Sequence, residues 1–261
     1  MLLKDRIALV YGASGAVGAT VARAFAREGA VVVLAARRIA PLEAVAAEIR
    51  TAGGRAEIAP VDALDPVALE DHLKRVVAQH GPVRIMFNAV SWDDVQGEPL
   101  TRMAVESVMA PITLGLRTWL FTGPLLARHM AAHGGGVILG ITANAGREPV
   151  ANVGGFGIAC AAVEHLLRQL AVENGPHGVR VCWVRSPGSP DAPGVREVWT
   201  EIARARGISF EALHTEFAKD TPLRTITALA QVADAAVLLA SDLAAGMTGT
   251  LANATGGSQI D

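Results

Sequence analysis

Residues 7–18, Ile-Ala-Leu-Val-Tyr-Gly-Ala-Ser-Gly-Ala-Val-Gly, decide the fold. A run of five apolar residues is typical of a buried strand, and the three glycines after it are typical of a tight turn into a helix. Glycine allows positive φ and a close approach of the backbone to a phosphate, and the helix N-terminus offers free N–H groups to the anion. The same glycines fit an ordinary turn, but their place after the first strand favours nucleotide binding.

The alternation of short apolar runs and longer alanine-rich stretches continues along the chain. Predicted strands cover residues 6–11, 31–35, 57–61, 84–88, 137–142, 179–184 and 250–254. Predicted helices cover residues 18–29, 41–52, 66–80, 101–132, 154–174, 195–218 and 228–241. Continuous apolar strands separated by helices indicate a parallel sheet that is covered on both faces. We therefore predict an α/β fold, a single Rossmann-type doubly wound domain over residues 1–261 with about seven strands.

Composition excludes several classes of protein. The chain has 261 residues, of which 51% are hydrophobic, so intrinsic disorder is excluded. The 23 basic and 25 acidic residues give a net charge of −2, and we expect no nucleic-acid partner. No apolar run reaches the roughly 18 residues of a membrane span, and the charged N-terminus does not resemble a signal peptide. Two distant cysteines, Cys160 and Cys182, fit a reducing cytoplasm.

The second predicted strand ends in Ala36, Arg37 and Arg38. Proteins that bind NAD often place an acidic residue here to hold the ribose 2′-hydroxyl. Ala36 offers no carboxylate to repel a 2′-phosphate, and a guanidinium binds phosphate in a fork. The alternative is a solvated arginine pair at the start of the next helix. We expect NADP(H) as the cofactor, with NAD(H) less favoured.

Beyond the glycine loop, four segments resemble the short-chain dehydrogenase/reductase family. They are Val61-Asp62-Ala63, Phe87-Asn88-Ala89-Val90, Ser186-Pro187-Gly188 and Met247-Thr248-Gly249. The resemblance covers essentially the whole chain. It implies that the following residues bind the cofactor: Gly12, Ser14, Gly15, Val17, Gly18, Arg37, Arg38, Asp62, Ala63, Asn88, Ala89, Pro187 and Gly188.

The resemblance also shows where the chain departs from the family. Proton transfer in the family depends on a serine, a tyrosine, a lysine and an asparagine, in which the lysine lowers the pKa of the tyrosine. Alignment of the fifth strand and its flanking helices places these four, in the same order, at Ala143, Phe156, Cys160 and about Gly115. Tyr11 is the only tyrosine, and no lysine lies between residues 74 and 219. The usual proton relay therefore cannot be assembled.

Three polar residues near the predicted site are candidate replacements for the missing acid. Thr142 ends the fifth strand, Asn144 follows it, and Asp94 lies on the loop after the fourth strand. Each has an ordinary alternative, because strand-end hydroxyls bond to backbone and loop carboxylates form turns. Cys160, with no cation nearby in sequence, reads as a small buried apolar residue. We predict no metal site, because His129 and His133 have no evident third ligand.

Two functional hypotheses remain open at this point. The first is an NADP(H)-dependent oxidoreductase with a non-standard or absent proton relay. The second is a non-redox protein on the same fold, either a binding protein or a lyase or cyclase that uses the pocket for its shape. The resemblance further implies a homodimer or homotetramer formed through the two alanine-rich helices. Residues 190–220 are expected to form a helical lid over a small, apolar ligand.

Overall fold

The computed structural model of the protein describes residues 1–260, and its centre is a seven-stranded parallel sheet. The strands are β1 (Ile7–Tyr11), β2 (Val31–Ala35), β3 (Arg55–Ile58), β4 (Val83–Asn88), β5 (Gly136–Ala143), β6 (Val179–Ser186) and β7 (Thr250–Asn253). Their order in the sheet is β3-β2-β1-β4-β5-β6-β7. The order reverses between β1 and β4, which is the point where doubly wound folds open a ligand crevice.

Eight helices connect the described strands. They are α1 (Ala16–Arg27), α2 (Ile39–Thr51), α3 (Pro66–His80), α4 (Val105–Ala132), α5 (Gly155–Asn174), α6 (Pro193–Ala205), α7 (Phe210–Lys219) and α8 (Leu229–Ala240). Residues of α1, α2 and α8 pack into one apolar cluster on the sheet, and residues of α3, α4 and α5 pack into a second. The two clusters lie on opposite faces because successive strand side chains point to opposite sides. The predicted α/β architecture is confirmed.

Two predicted elements need correction. The helical stretch predicted over residues 195–218 is two helices, because Gly207 adopts a φ of +67° and Ser209 starts a new helix by accepting a hydrogen bond from the Ala212 N–H. The third strand lies two residues earlier than predicted and ends before Pro60, which has no N–H to donate to a ladder. No helix among residues 1–260 is both long and apolar enough to cross a bilayer.

The strands place their carboxyl ends along one edge of the sheet. Tyr11 pairs with Ala35 on one side and with Asn88 on the other, and Ala143 pairs with Ser186. The residues that follow β1, β2, β4, β5 and β6 therefore converge at this edge. Most residues predicted to bind the cofactor or take part in chemistry lie at or just after the ends of these strands. Asp62 and Ala63 instead follow β3, and Gly115, Phe156 and Cys160 lie within α4 and α5.

Candidate functional site

The glycine loop has a geometry that only glycine permits at two positions. Gly12 has a φ of +73°, and a Cβ there would lie 2.3 Å from the Ala89 carbonyl oxygen. A Cβ on Gly18 would lie 2.3 Å from the carbonyl oxygen of Gly12. The first turn of α1 contains no acidic residue, and Gly15 caps it without a side chain. The helix N-terminus is therefore free to receive an anion.

A cleft of about 300 Å³ lies beside this loop. Its lining includes Gly12, Ser14, Gly15, Ala36, Arg37, Arg38, Asp62, Ala63 and Ala89. Both arginines are exposed, and neither forms a salt bridge within residues 1–260. The Asp62 carboxylate accepts a hydrogen bond from the Leu64 N–H at 2.9 Å, which fixes its loop. The structure thus brings together the majority of the predicted cofactor residues.

The remaining predicted cofactor residues lie around the cleft and do not line it. Val17 is in the first turn of α1, and Pro187 and Gly188 follow β6 at the same edge of the sheet. Asn88 is buried, and both ends of its amide are engaged inside the protein. Its oxygen accepts from the Val90 N–H at 3.0 Å, and its nitrogen donates to the Thr122 hydroxyl at 3.1 Å. Asn88 therefore holds the loop that faces the glycine turn.

Aromatic side chains fill the site at two of the four relay positions. A Cβ on Gly115 would lie 3.2 Å from the indole of Trp92, so the ring rests directly on this glycine. Trp92 also packs against Phe156, with ring centroids 5.9 Å apart and planes tilted by 47°. Trp92 is only 8% exposed. The absence of a side chain at residue 115 is thus matched by the position of Trp92.

The thiol of Cys160 is a poor nucleophile and a poor acid. Its pKa is raised to about 12, mainly by burial; a hydrogen bond with the Ala143 backbone opposes the rise, and the charges of Glu164 and Asp94 add to it. A reactive cysteine needs a lowered pKa and some exposure. The interpretation of Cys160 as a small buried apolar residue agrees with this environment.

A buried ion pair lies one helical turn beyond Cys160. The Glu164 carboxylate, 3% exposed, accepts hydrogen bonds from Arg185 at 3.0 and 3.2 Å, and Arg185 is itself 2% exposed. Glu164 also accepts from the Thr142 hydroxyl at 2.9 Å and from Arg168 at 3.4 Å. The proton of Thr142 is therefore directed at a carboxylate inside the protein, away from a role as the replacement acid.

The other two candidate acids are also engaged. The amide nitrogen of Asn144 donates to the Ser258 hydroxyl at 3.0 Å, and its backbone carbonyl accepts from Gln259 at 3.3 Å. These bonds attach the end of β5 to the C-terminal segment. Asp94 accepts from the Gln96 amide at 2.6 Å, and its charge acts on Cys160. Of the three candidates, only Asp94 has an ionisable side chain whose charge reaches Cys160.

Comparison with known proteins agrees with this geometry. Residues 12–259 match the protein family described as enoyl-(acyl carrier protein) reductase. The chain belongs to the short-chain dehydrogenase/reductase family. One relative that matches along nearly its full length is an uncharacterised oxidoreductase, YxjF, of Bacillus subtilis. It is 27% identical over 98% of both chains. A peroxisomal 2,4-dienoyl-CoA reductase of Pongo abelii is 30% identical over 99% of this chain and 85% of its own.

The fold of the solved family members is also the same. A short-chain type dehydrogenase/reductase from Mycobacterium ulcerans superposes with a TM-score of 0.88 and 26% identity. The superposition covers 99% of this chain and 91% of that one. Within the short-chain dehydrogenase/reductase family, the present chain is therefore an oxidoreductase by resemblance. No group of three or more His, Cys, Asp or Glu side chains suited to a metal occurs in the described part of the chain.

Sequence reasoning missed three residues of this short-chain dehydrogenase/reductase site. They are Trp92, Glu164 and Arg185, for which no motif in the sequence predicts a role. A signal for the ion pair was present, because Arg185 interrupts an otherwise apolar strand and Glu164 follows Cys160 by four residues on one helix face. Charges in such positions are buried only when paired.

His72 is a buried neighbour of Tyr11, the last residue of β1, and its pKa lies well below the usual value. The Tyr11 hydroxyl has no hydrogen-bond partner among the described residues, and burial raises its pKa. The centroid of its ring lies 6.1 Å from that of His72. His72 is 1% exposed. Burial, and next the charge of Arg75, lower the pKa of His72 to about 4 from its usual 6.5. His72 is therefore neutral in the folded protein at pH 7.

We expect acid to destabilise the protein through His72. Between pH 6.5 and pH 4, His72 is protonated in the unfolded chain but stays neutral in the folded chain. The free energy of unfolding therefore decreases by up to about 3 kcal/mol as the pH is lowered through this range. Above pH 6.5 the residue contributes no pH dependence. Urea unfolding of His72→Leu across this range should show a flatter profile than the parent. His177→Gln, which removes an exposed histidine, should keep the parent's slope; equal slopes for parent and His72→Leu would contradict the prediction.

Proposed function

We propose that this protein is an NADP(H)-dependent oxidoreductase that acts without the family's proton relay. The observation that carries the proposal is the cleft itself, where the exposed guanidiniums of Arg37 and Arg38 follow Ala36 at the end of β2 and form no salt bridge with any described residue. A glycine loop with no room for a Cβ and an uncapped helix N-terminus fit a dinucleotide pyrophosphate. When bound, the dinucleotide supplies or accepts a hydride.

Different segments of the chain bind different parts of the dinucleotide. Backbone N–H groups between Gly12 and Gly18, with Ser14, Gly15 and Val17, hold the pyrophosphate, and Arg37 and Arg38 hold the 2′-phosphate. Asp62 and Ala63 hold the adenine, and Asn88 and Ala89 shape the loop opposite the glycine turn. Pro187 and Gly188 lie at the edge where the nicotinamide end belongs. This assignment follows the match between the family's segments and their places in the fold.

The lack of a proton donor at the positions that the resemblance assigns to the relay restricts the class of substrate. Ala143, Gly115 and Phe156 have no proton to give, and the Cys160 thiol is buried. Reduction of a ketone leaves an alkoxide that needs a positioned acid. Addition of hydride to a conjugated C=C bond leaves an enolate, which water can protonate. We therefore propose an apolar substrate with a conjugated C=C bond; the 2,4-dienoyl-CoA reductase relative supports this class. The test is NADPH oxidation with matched conjugated alkenes and ketones.

Cofactor preference has a direct test in Arg37. We expect NADPH to bind more tightly than NADH, because a guanidinium–phosphate fork contributes about 1.5–3 kcal/mol. Arg37→Ala should remove most of this difference, a loss of about tenfold or more in NADPH affinity with little change for NADH. Fluorescence titration measures both constants. Arg206→Ala, an exposed arginine on the lid segment, is the matched control, and equal affinities of the parent for the two cofactors would refute the preference.

The segment of residues 190–220 is proposed to cover the substrate. Its two helices pack on each other through an aromatic cluster, with the rings of Trp199 and Phe217 edge to face at 4.9 Å and Arg196 over Phe210 at 4.4 Å. The Asp191 carboxylate accepts from the Leu229 N–H and fastens the segment to α8. A helical unit that is packed internally suits movement as one piece.

We also propose a homodimer or homotetramer built on α4 and α5. Both helices leave large apolar side chains exposed, among them Val105, Met109 and Leu120 on α4 and Ile158 and Val172 on α5. Large apolar side chains that are left exposed on two neighbouring helices are typical of a subunit interface. Sedimentation at micromolar concentration should give a mass of at least twice 27.1 kDa. Leu120→Glu should shift the protein toward monomer and Val67→Glu, on α3, should not; a monomeric parent would disprove the proposal.

A further inference from the structure

An arginine-lined cavity lies at the opposite edge of the sheet from the cofactor cleft. Its volume is about 730 Å³, and it is formed where β1, β4, β5 and β6 begin. The lining includes Arg6, Arg84, Arg180 and the glycines at 134–136, 175, 178 and 246. The six residues of β4 alone separate the two edges by roughly 17 Å. The cavity is therefore spatially separate from the cleft in which the cofactor is proposed to bind.

Positive charge in this cavity exceeds the negative charge that faces it. Two carboxylates, Asp5 and Asp242, belong to the lining. Asp5 pairs with Arg55 at 2.7 Å, and Asp242 pairs with Arg6. Within residues 1–260, Arg84 and Arg180 therefore have no carboxylate partner. Asp242 is 85% exposed, so solvent screens its charge.

The two remaining guanidiniums are held in place by backbone carbonyls. Arg180 donates to the carbonyls of Leu239 at 2.9 Å and of Ser241 and Met247 at 3.3 Å. Burial is the main cause that lowers the pKa of Arg180; the charge of Arg6 lowers it further, while Cys182 and Asp242 oppose the shift. Carbonyl dipoles fix the position of a guanidinium but leave its net charge intact.

Arg84 retains donors for a ligand. Its Nη1 donates to the Gly135 carbonyl at 2.8 Å, which holds the side chain over the cavity. This is its only hydrogen bond among the described residues, so the rest of the planar fork is available. Gly175 and Gly246 leave open space where a Cβ would be, so an anion can come close to the backbone there.

We propose that this cavity is a second anion site, which binds a small molecule carrying a phosphate or diphosphate group. A fork-shaped cation matches the oxygens of a phosphate in pairs. The volume lies in the range of cavities that hold whole small ligands, so an organic phosphate fits better than a lone ion. Arg84 is the anchor, and Arg6 and Arg180 supply the surrounding positive potential.

Calorimetric titration with pyrophosphate tests the site in protein saturated with NADP⁺, so that the cofactor cleft is filled. Pyrophosphate should bind the parent, and Arg84→Gln should weaken binding at least tenfold. Arg23→Gln, which removes one exposed positive charge from α1 outside the cavity, should bind like the parent. The site does not exist if the parent fails to bind pyrophosphate, or if Arg84→Gln binds as well as the parent.

A second pair of variants does not depend on the fold tolerating the loss of Arg84. A side chain at residue 246 meets no atom within 4 Å, so Gly246→Asp and Gly246→Asn should both fold. Gly246→Asp places a negative charge in the cavity and should abolish pyrophosphate binding. Gly246→Asn is nearly the same size and should retain most of it. Equal binding by these two variants would show that the pyrophosphate lies elsewhere and would overturn the proposal.

Discussion

A rate difference of about 10²–10⁴ is expected between a conjugated alkene and a simple ketone when the protein is assayed with NADPH. This is the usual contribution of a positioned acid, and the ketone is the substrate that needs one. The physical reason lies at Ala143 and Phe156, which have no proton to donate, and at Cys160, whose pKa burial raises to about 12. NADPH oxidation followed by absorbance measures both rates.

Restored side chains give the control for this prediction. Phe156→Tyr alone should help little, because a phenol without a nearby cation keeps a pKa near about 10. Phe156→Tyr, Cys160→Lys and Ala143→Ser together should raise ketone reduction by more than the sum of the single changes, since these groups act as a unit. Ketone reduction by the parent at ordinary enzyme rates, on the order of 1–10³ s⁻¹, would contradict the reading and point to Asp94 as the acid. NADPH binding with no turnover of either substrate would instead favour the non-redox hypothesis.

Arg185→Met is expected to lower the free energy of unfolding by about 3–5 kcal/mol. The substitution leaves the Glu164 carboxylate buried, with the half-exposed Arg168 at 3.4 Å as its remaining ion partner. An uncompensated buried charge is among the costliest defects a core can carry. Urea denaturation gives the change directly.

The matched variant is Glu164→Leu combined with Arg185→Met. Replacing both members of a buried pair by apolar residues is often close to neutral, so the double variant should recover most of the stability that the single one loses. A double-mutant cycle then gives the coupling of the two residues. If the loss of unfolding free energy in the double variant equals the sum of the two single losses, Glu164 and Arg185 do not stabilise each other.

The position of Gly115 illustrates how far sequence reasoning reached at the site. The missing asparagine was evident from sequence, but the reason for a glycine was not, because Trp92 lies more than twenty residues away along the chain. Its indole occupies the space above residue 115. Gly115→Asn would therefore require Trp92 to shift, so the glycine at this position is explained by packing as well as by chemistry.

By itself, the sequence determined the parallel α/β architecture, the place of the glycine loop and the lack of a tyrosine–lysine relay. Hydrophobic period, glycine spacing and the mere count of tyrosines and lysines are local or compositional properties, so they can be read without coordinates. Only the tertiary structure decided that Thr142 and Arg185 both bind Glu164 and that Trp92 covers Gly115. It also decided that three arginines line one cavity at the edge of the sheet where the strands begin. These contacts join residues of different strands, helices and loops, and their distances follow from how the layers pack, a property that no stretch of sequence carries alone.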